Sequence, residues 1–134
     1  MSDSIEHLSS TTSTGLAPNV SGALAYLLGP ITGIVFLLLE KENRYVRFHA
    51  GQSIGVWVAF LIFSVVLTVI SGVLGAIPVL GWLFALVFIF VSLGMTLVGL
   101  GLWLFLMYKG YSGEQWEFPF IGRQVREMLF KGEV

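Results

Sequence analysis

The feature that most constrains the fold is a charge-free run from Ala50 to Tyr108, in which no Asp, Glu, Lys or Arg occurs. A helix needs about 20 apolar residues to cross the hydrocarbon core of a bilayer, so the run has room for two crossings. Its one break is the uncharged stretch 77–81, which carries a proline and a glycine. The run therefore predicts two membrane-spanning helices, over about 50–76 and 82–108, joined by a tight turn.

The composition agrees with an integral membrane protein. Apolar residues make up 56% of the chain and charged residues 11%, whereas globular domains average about 45–50% and about 25%. The formal net charge of −1 argues against nucleic acid as a partner. The absence of cysteine excludes disulfides and cysteine metal sites, and a single histidine in the apolar part of the chain is weak evidence for a metal ligand. We expect neither a cofactor nor a metal site.

Three further segments flank the charge-free run. Residues 20–39 are apolar and long enough for another crossing, with a Gly-Pro pair in the middle where we expect a kink. Residues 1–19 are rich in Ser and Thr and predict a disordered tail. Residues 119–130 predict an amphipathic helix in the membrane interface, although packing of this helix on the polar segment before the second crossing is an open alternative. The predicted fold is an all-α integral membrane protein with three transmembrane helices and a C-terminal interfacial amphipathic helix, in a single membrane domain over 20–131.

The basic residues predict the orientation in the membrane. They occur between the first and second predicted crossings and after the third: Lys41, Arg44, Arg47, Lys109, Arg123, Arg126 and Lys131. With three crossings all of them fall on one side, which the positive-inside rule places in the cytoplasm. We therefore expect a multi-pass protein of the cell membrane, with the N-terminus outside and the C-terminus cytoplasmic.

Small residues recur four positions apart in the first two apolar blocks. Such spacing lets helix backbones approach closely in a membrane. The predicted helix-packing residues are Ala25, Gly29, Gly33, Gly51 and Gly55. The contacts can form within one chain or between chains, so a homo-oligomer and other membrane proteins are both expected as partners.

The polar stretch Glu40–Gln52, which we call the hub, is the main candidate for function. The arginine fork suits phosphate or carboxylate, and each basic residue near an anionic leaflet contributes about 1 kcal/mol of attraction. We predict that membrane lipid headgroups or a cytoplasmic partner bind at Arg44, Arg47, His49, Gln52, Arg123 and Arg126. A structural role for His49 and Gln52, bridging helix ends by hydrogen bonds, is the commoner alternative. Catalysis is not expected, because Ser53 follows His49 by four residues but no third orienting group is evident.

Two functions remain open from the sequence. The first is a non-enzymatic interaction or scaffold role through the hub. The second is an oligomeric pore or a protein-translocation-type channel subunit. The absence of ionisable residues from the crossings argues against a proton-coupled transporter. A pore would be lined by hydroxyl groups, which alternatively bond to their own backbone or to a neighbouring helix: Ser64, Thr68, Ser71, Ser92 and Thr96.

Several short motifs carry a family resemblance. Leu-Ala-Tyr-Leu-Leu-Gly-Pro at 24–30 is followed by Arg-Phe-His-Ala-Gly-Gln at 47–52, and the segment 108–123 has a Gly-Glu turn and a Phe-Pro pair. These residues resemble a prokaryotic family of small uncharacterised membrane proteins related to the chloroplast inner-envelope TIC import component. The resemblance covers roughly residues 24–128. It implies a domain of unknown function in a cell membrane, and it makes a channel-type role possible because the plant relatives are implicated in preprotein translocation.

Overall fold

The computed structural model describes residues 11–131, and over that range it contains five α-helices and no strand. Residues 1–10 of the predicted tail lie outside the described residues. The helices are α1 (Pro18–Leu24), α2 (Pro30–Leu39), α3 (Arg44–Gly75), α4 (Gly81–Ser112) and α5 (Ile121–Leu129).

The two longest helices, α3 and α4, correspond to the charge-free run. Each has 32 residues, which at 1.5 Å per residue gives a length of about 48 Å. Both are long and apolar enough to cross a membrane. Helix α3 begins earlier than predicted because Asn43 caps it: the Asn43 side-chain oxygen accepts a hydrogen bond from the amide of Val46 at 3.2 Å.

The first apolar block differs from the single crossing predicted over 20–39. It consists of α1 with seven residues and α2 with ten, separated by a turn over 25–29. The break falls at the Gly-Pro pair: Gly29 has a φ of 61°, and Pro30 is the first residue of α2. Ten helical residues rise about 15 Å, which is half of a hydrocarbon core of about 30 Å. Neither helix is therefore long enough to cross a bilayer alone.

The chain divides into two compact units. Over the described residues, the first comprises 11–58 and 103–131 and is called the folded unit here. The second, Ala59–Leu102, is called the hairpin unit. One buried apolar cluster of the folded unit joins residues of the turn after α1, of α2 and of α3: Ala25, Phe36, Tyr45, Val46 and Ala50.

Helix α5 belongs to the folded unit and packs on α3. A Cβ added to Gly51 would lie 2.7 Å from a methyl carbon of Val125, and one added to Gly55 would lie 2.6 Å from a methyl carbon of Ile121. The side chain of Val125 is buried with Phe48 of α3. The structure therefore shows the alternative arrangement for this segment, an amphipathic helix whose apolar face covers the hub.

The hairpin unit holds the distal parts of α3 and α4, joined by the turn 76–80. A Cβ added to Gly99 would lie 3.1 Å from the ring of Phe60, so the two helices meet closely there. Most of the other side chains are apolar and exposed, as for Phe90 and Val98.

Candidate functional site

A buried polar network lies at the centre of the folded unit. Tyr26, His49 and Gln52 are each fully buried. Tyr26 comes from the turn after α1, and the other two side chains are three residues apart on α3, so they share one face of that helix. A buried polar side chain is costly unless it is hydrogen-bonded, so the partners of these three decide their role.

The hydrogen bonds of His49 define its tautomer. Its Nε2 atom lies 3.1 Å from the carbonyl oxygen of Glu114. A carbonyl can only accept, so Nε2 carries the proton and donates. The other ring nitrogen, Nδ1, therefore accepts a hydrogen bond from the hydroxyl of Tyr26 at 2.8 Å. Both nitrogens of the neutral ring are used.

Gln52 completes the network. Its Nε2 donates to the Tyr26 hydroxyl at 3.0 Å and to the carbonyl oxygen of Trp116 at 3.0 Å. Its Oε1 accepts from the amide of Phe118 at 2.8 Å. A Cβ on Gly122 would lie 2.7 Å from this same Oε1 atom, which explains why glycine stands there. Gln52 thus holds the extended segment 114–118 against α3.

The aromatic surroundings close the network on the remaining sides. The ring of His49 makes edge contacts with the rings of Tyr45, Phe48 and Tyr26, at centroid distances of 4.6, 5.5 and 5.6 Å. The structure therefore places His49 and Gln52, both predicted as binding residues, in the core. They bridge chain segments by hydrogen bonds, which is the structural role that the sequence analysis left open.

Ser53 does not pair with His49. Its hydroxyl donates to the carbonyl oxygen of Gly29 at 2.9 Å. Gly29 itself is buried, and a Cβ there would lie 3.2 Å from the indole of Trp57. The Ser53 hydroxyl is thus used to hold the turn before α2.

Glu40 has a structural role in the hub that the sequence analysis did not identify. Its carboxylate is fully buried. It accepts hydrogen bonds from the amide and hydroxyl of Ser13 at 2.8 and 3.0 Å, and from the amide of Asn43 at 3.0 Å. Burial by itself would raise the pKa of Glu40, but these donors together with the Glu42 amide outweigh it and lower the pKa. The sequence signal for this role is weak: Glu40 follows an apolar block and lies three residues before Asn43.

Two of the predicted binding arginines lie near the start of α3. The guanidinium of Arg44 lies 4.5 Å from the ring centroid of Phe130, a cation–π contact with the residue after α5. An Nη1 atom of Arg47 donates to the carbonyl oxygen of Lys41 at 3.3 Å. The Nε atom of Arg47 is buried and has no hydrogen-bond partner. A buried donor without a partner is unusual among folded proteins.

The other two predicted arginines lie on the outer side of α5. Arg126 forms an ion pair with Glu117. Arg123 lies 4.0 Å from Glu127, one helical turn away, and its side chain is 69% exposed. Both side chains are on the surface, unlike His49 and Gln52, so the six predicted binding residues do not form one site.

A comparison with protein-family models matches residues 10–125 to the magnetosome magnetite crystal formation protein family. The chain belongs to this family. The match includes every residue of the buried polar network.

Curated relatives support a membrane location. A UPF0132 membrane protein of Methanocaldococcus jannaschii is 43% identical over 115 residues, which cover 83% of this chain and 87% of the relative. A UPF0132 membrane protein of Archaeoglobus fulgidus is 43% identical over 106 residues, covering 78% and 87%. No solved structure matches the chain. The chain is therefore a membrane protein of a prokaryotic family, with two helices that are candidates to span the membrane.

The predicted helix-packing residues lie in close contacts within the chain. Ala25 is fully buried, and a Cβ added to Gly33 would lie 2.9 Å from the carbonyl oxygen of Ala50. The sequence analysis missed a second close approach: Cβ atoms added to Gly22 and Gly110 would each lie within 2.9 Å of the other's carbonyl oxygen. The only signal for it was the presence of a glycine in each segment, and nothing in the sequence relates the two.

The hydroxyl residues considered as a pore lining share one cleft of the hairpin unit. Its volume is about 270 Å³, and its lining includes Ser64, Thr68, Ser71, Ser92 and Thr96. Three of the hydroxyls donate to the carbonyl oxygen four residues earlier on their own helix, each at 2.8 Å. Backbone bonding was the alternative role predicted for them.

Proposed function

We propose that the chain is a non-enzymatic scaffold of the cell membrane, in which α3 and α4 anchor the chain and the folded unit presents a basic cytoplasmic surface. One observation carries the proposal. Among residues 11–131 the folded unit holds seven Lys and Arg residues, at 41–47 and 109–131, against five Glu residues, and Ala59–Leu102 holds no charged residue. Such a surface attracts anionic lipid headgroups or an acidic partner protein.

The proposal uses two crossings instead of the three predicted from the sequence. Two crossings return the chain to the side from which it entered, so the residues before α3 and after α4 share one side. The positive-inside rule assigns that side, on which the C-terminus also lies, to the cytoplasm.

The acidic residues leave part of the basic surface uncompensated. Among the described residues, ion pairs join Lys109 to Glu114, Arg126 to Glu117, and Arg123 to Glu127. No carboxylate of residues 11–131 lies within salt-bridge distance of the remaining cations at the hub and after α5: Lys41, Arg47 and Lys131. Arg47 is the residue most suited to bind phosphate, because its guanidinium is a planar fork and no carboxylate of residues 11–131 is paired with it.

The test compares lipid preference in reconstituted discs. Energy transfer from the tryptophans to dansyl-labelled anionic lipid should exceed transfer to the same label on a zwitterionic lipid, and salt should reduce the difference. Arg47→Gln should weaken the anionic preference about five-fold, the equivalent of about 1 kcal/mol. Glu42→Gln, which removes an exposed acid from the same loop, should not weaken it. The proposed basic surface would be rejected if energy transfer to the two lipids is equal, Arg47→Gln has no effect and no acidic protein co-purifies.

A second function, an oligomeric pore or translocation-type channel, is favoured by the hydroxyl-lined cleft alone. Two helices cannot enclose a lumen, so we propose this role only for an assembly of several copies. Solute flux into liposomes that contain the pure protein tests it, with Ser71→Val as the variant expected to change the flux. The translocation role depends on kinship with the chloroplast import component, which stays a prediction from the motifs at 24–30, 47–52 and 108–123.

The family description names magnetite crystal formation. For this chain we propose only the scaffold role. Within residues 11–131 no three His, Asp or Glu side chains are grouped so that they could hold a metal ion. The scaffold proposal accordingly rests on the basic surface.

A further inference from the structure

We infer that the first apolar block is a re-entrant helix–turn–helix: α1 and α2 enter one leaflet of the bilayer, contact its acyl chains and return to the side from which they came. This goes beyond the scaffold role and does not depend on it. Helix α1 has seven residues and α2 has ten, so they reach about 10 and 15 Å into the membrane. These lengths match one leaflet of a hydrocarbon core of about 30 Å.

The decisive observation is how the turn 25–29 satisfies its backbone. Non-helical backbone within a membrane is tolerated only where its polar groups are paired inside the protein. Thr32 serves the turn twice: its hydroxyl donates to the carbonyl oxygen of Ala25 at 3.1 Å and accepts from the amide of Leu28 at 3.1 Å. The hydroxyl of Ser53 donates to the carbonyl oxygen of Gly29.

Trp103 pairs two further carbonyl groups of the turn. Its indole Nε1 donates to the carbonyl oxygen of Tyr26 at 2.9 Å and also to the carbonyl oxygen of Leu27 at 3.3 Å. Four carbonyl groups of the turn thus accept hydrogen bonds from side chains of three helices: Thr32 of α2, Ser53 of α3 and Trp103 of α4. The carbonyl groups of Tyr26 and Gly29 also accept from the amides of Gly29 and Gly33. A turn in water would need none of these donors, because solvent would supply them.

The outer surface of the block is apolar. Its exposed side chains, each 41–71% accessible, are Leu27, Leu28, Ile31, Ile34, Val35, Leu38 and Leu39. An uninterrupted exposed patch of this kind marks an interaction surface. The inner face of α2 is already taken, since Gly33 lies against the backbone of Ala50 in α3. Since α2 packs on α3, which is a candidate membrane-spanning helix, the patch lies beside a helix expected to meet lipid, and acyl chains are its occupant.

The two ends of the block meet at one place. The amide and hydroxyl of Ser13, before α1, bond to the carboxylate of Glu40, which follows α2. A spanning segment would separate these residues by the thickness of the bilayer. The chain before α1 therefore lies on the same side as the hub, whereas the sequence-based prediction placed the N-terminus outside.

Single-cysteine labelling tests the inference, because the native chain has no cysteine. Cysteines at Thr11 and Glu42, two exposed positions, should react with a membrane-impermeant maleimide from the same side of sealed vesicles. A cysteine at Val79, in the turn between α3 and α4, should react from the other side. Labelling of Thr11 and Glu42 from opposite sides would overturn the re-entrant arrangement.

Depth measurements separate a re-entrant segment from one that lies in water. Spin labels at Leu28, in the turn, and at Leu38, near the end of α2, occupy exposed positions whose replacement leaves the core intact. Both should be accessible to oxygen more than to a polar relaxation agent, and Leu28 should lie deeper than Leu38. A water-accessible label at Leu28 would overturn the inference. If the labelling and depth results are as expected but the anionic lipid preference is absent, the scaffold proposal alone is rejected and the re-entrant arrangement stands.

Discussion

The folded unit and the hairpin unit use glycine in opposite ways. In the folded unit, a Cβ added to any helical glycine would lie within 3.0 Å of a neighbouring segment: this holds for Gly22, Gly33, Gly51, Gly55, Gly110 and Gly122. In the hairpin unit, four glycines have no neighbouring heavy atom within 4 Å of such a Cβ: Gly72, Gly75, Gly94 and Gly101. Two other glycines of the hairpin unit, Gly81 and Gly99, do meet neighbouring atoms. Glycine thus marks close packing throughout the helices of the folded unit, but open surface at most positions of the hairpin unit.

Hydrogen bonds show the same contrast. In the folded unit, Gln52 bonds to Phe118 and Trp103 bonds to Tyr26, partners 66 and 77 residues apart. In the hairpin unit, the hydroxyls of Thr68 and Thr96 bond four residues back on their own helix. The comparison teaches that contacts distant in sequence determine the shape of the folded unit, whereas local helix geometry determines that of the hairpin unit.

The largest expected effect comes from breaking the buried network. Gln52→Leu leaves the Trp116 carbonyl and the Phe118 amide unpaired, each at about 1–3 kcal/mol, so we expect a loss of about 2–5 kcal/mol in stability. Thermal unfolding in detergent, followed by circular dichroism, measures it. The matched change in the hairpin unit, Thr96→Val, should alter stability by less than about 0.5 kcal/mol. Similar losses for both variants would show that the units do not differ as described.

Glycine substitutions within α4 should change stability in opposite directions. A Cβ at Gly110 would lie 2.6 Å from a backbone oxygen, which cannot move aside as a side chain would. Gly110→Ala should therefore destabilise by about 1–3 kcal/mol. Gly101→Ala, nine residues earlier on the same helix, meets open space and should stabilise by about 0.5–1 kcal/mol through its better helix propensity. Shifts of the same sign in the unfolding midpoint would contradict the assignment of the two positions.

A smaller effect is expected from Glu40. Its pKa is lowered in the folded state from the ordinary value of 4.5, so its contribution to stability is present above that pH and is lost as the pH falls through the folded-state value. Glu40→Gln should cost about 1 kcal/mol at neutral pH, since the amide oxygen still accepts. It should also flatten the loss of stability under acid. Glu127→Gln, an exposed control, should leave the acid dependence of the unfolding midpoint as in the wild type.

The smallest effect is expected at the surface of α5. Arg123 and Glu127 are both exposed and 4.0 Å apart. A pair of this kind contributes about 0.3–0.5 kcal/mol, and salt reduces it further. Arg123→Gln should thus leave the unfolding midpoint almost unchanged while lowering the attraction to anionic lipid. A large loss of stability would mean that the basic surface supports the fold and is not available for binding.

The sequence by itself determined the class of protein and its longest elements. The run from Ala50 to Tyr108 lacks charge over a length that suits two crossings. This local signature predicted α3, α4 and their turn without reference to any other part of the chain. The amphipathic pattern at 119–130 likewise located α5, because the period of a helix is visible in the sequence.

Only the tertiary structure decided what the hub and the first apolar block do. A Gly-Pro pair in an apolar block is compatible with a kinked crossing or with a complete break. The choice depends on whether hydrogen-bond donors from distant residues, here Ser53 and Trp103, reach the freed carbonyl groups. His49 and Gln52 resembled a polar surface in sequence but are buried, because their partners come from segments about 65 residues away. Contacts between such distant residues leave no periodic pattern, so one sequence cannot reveal them.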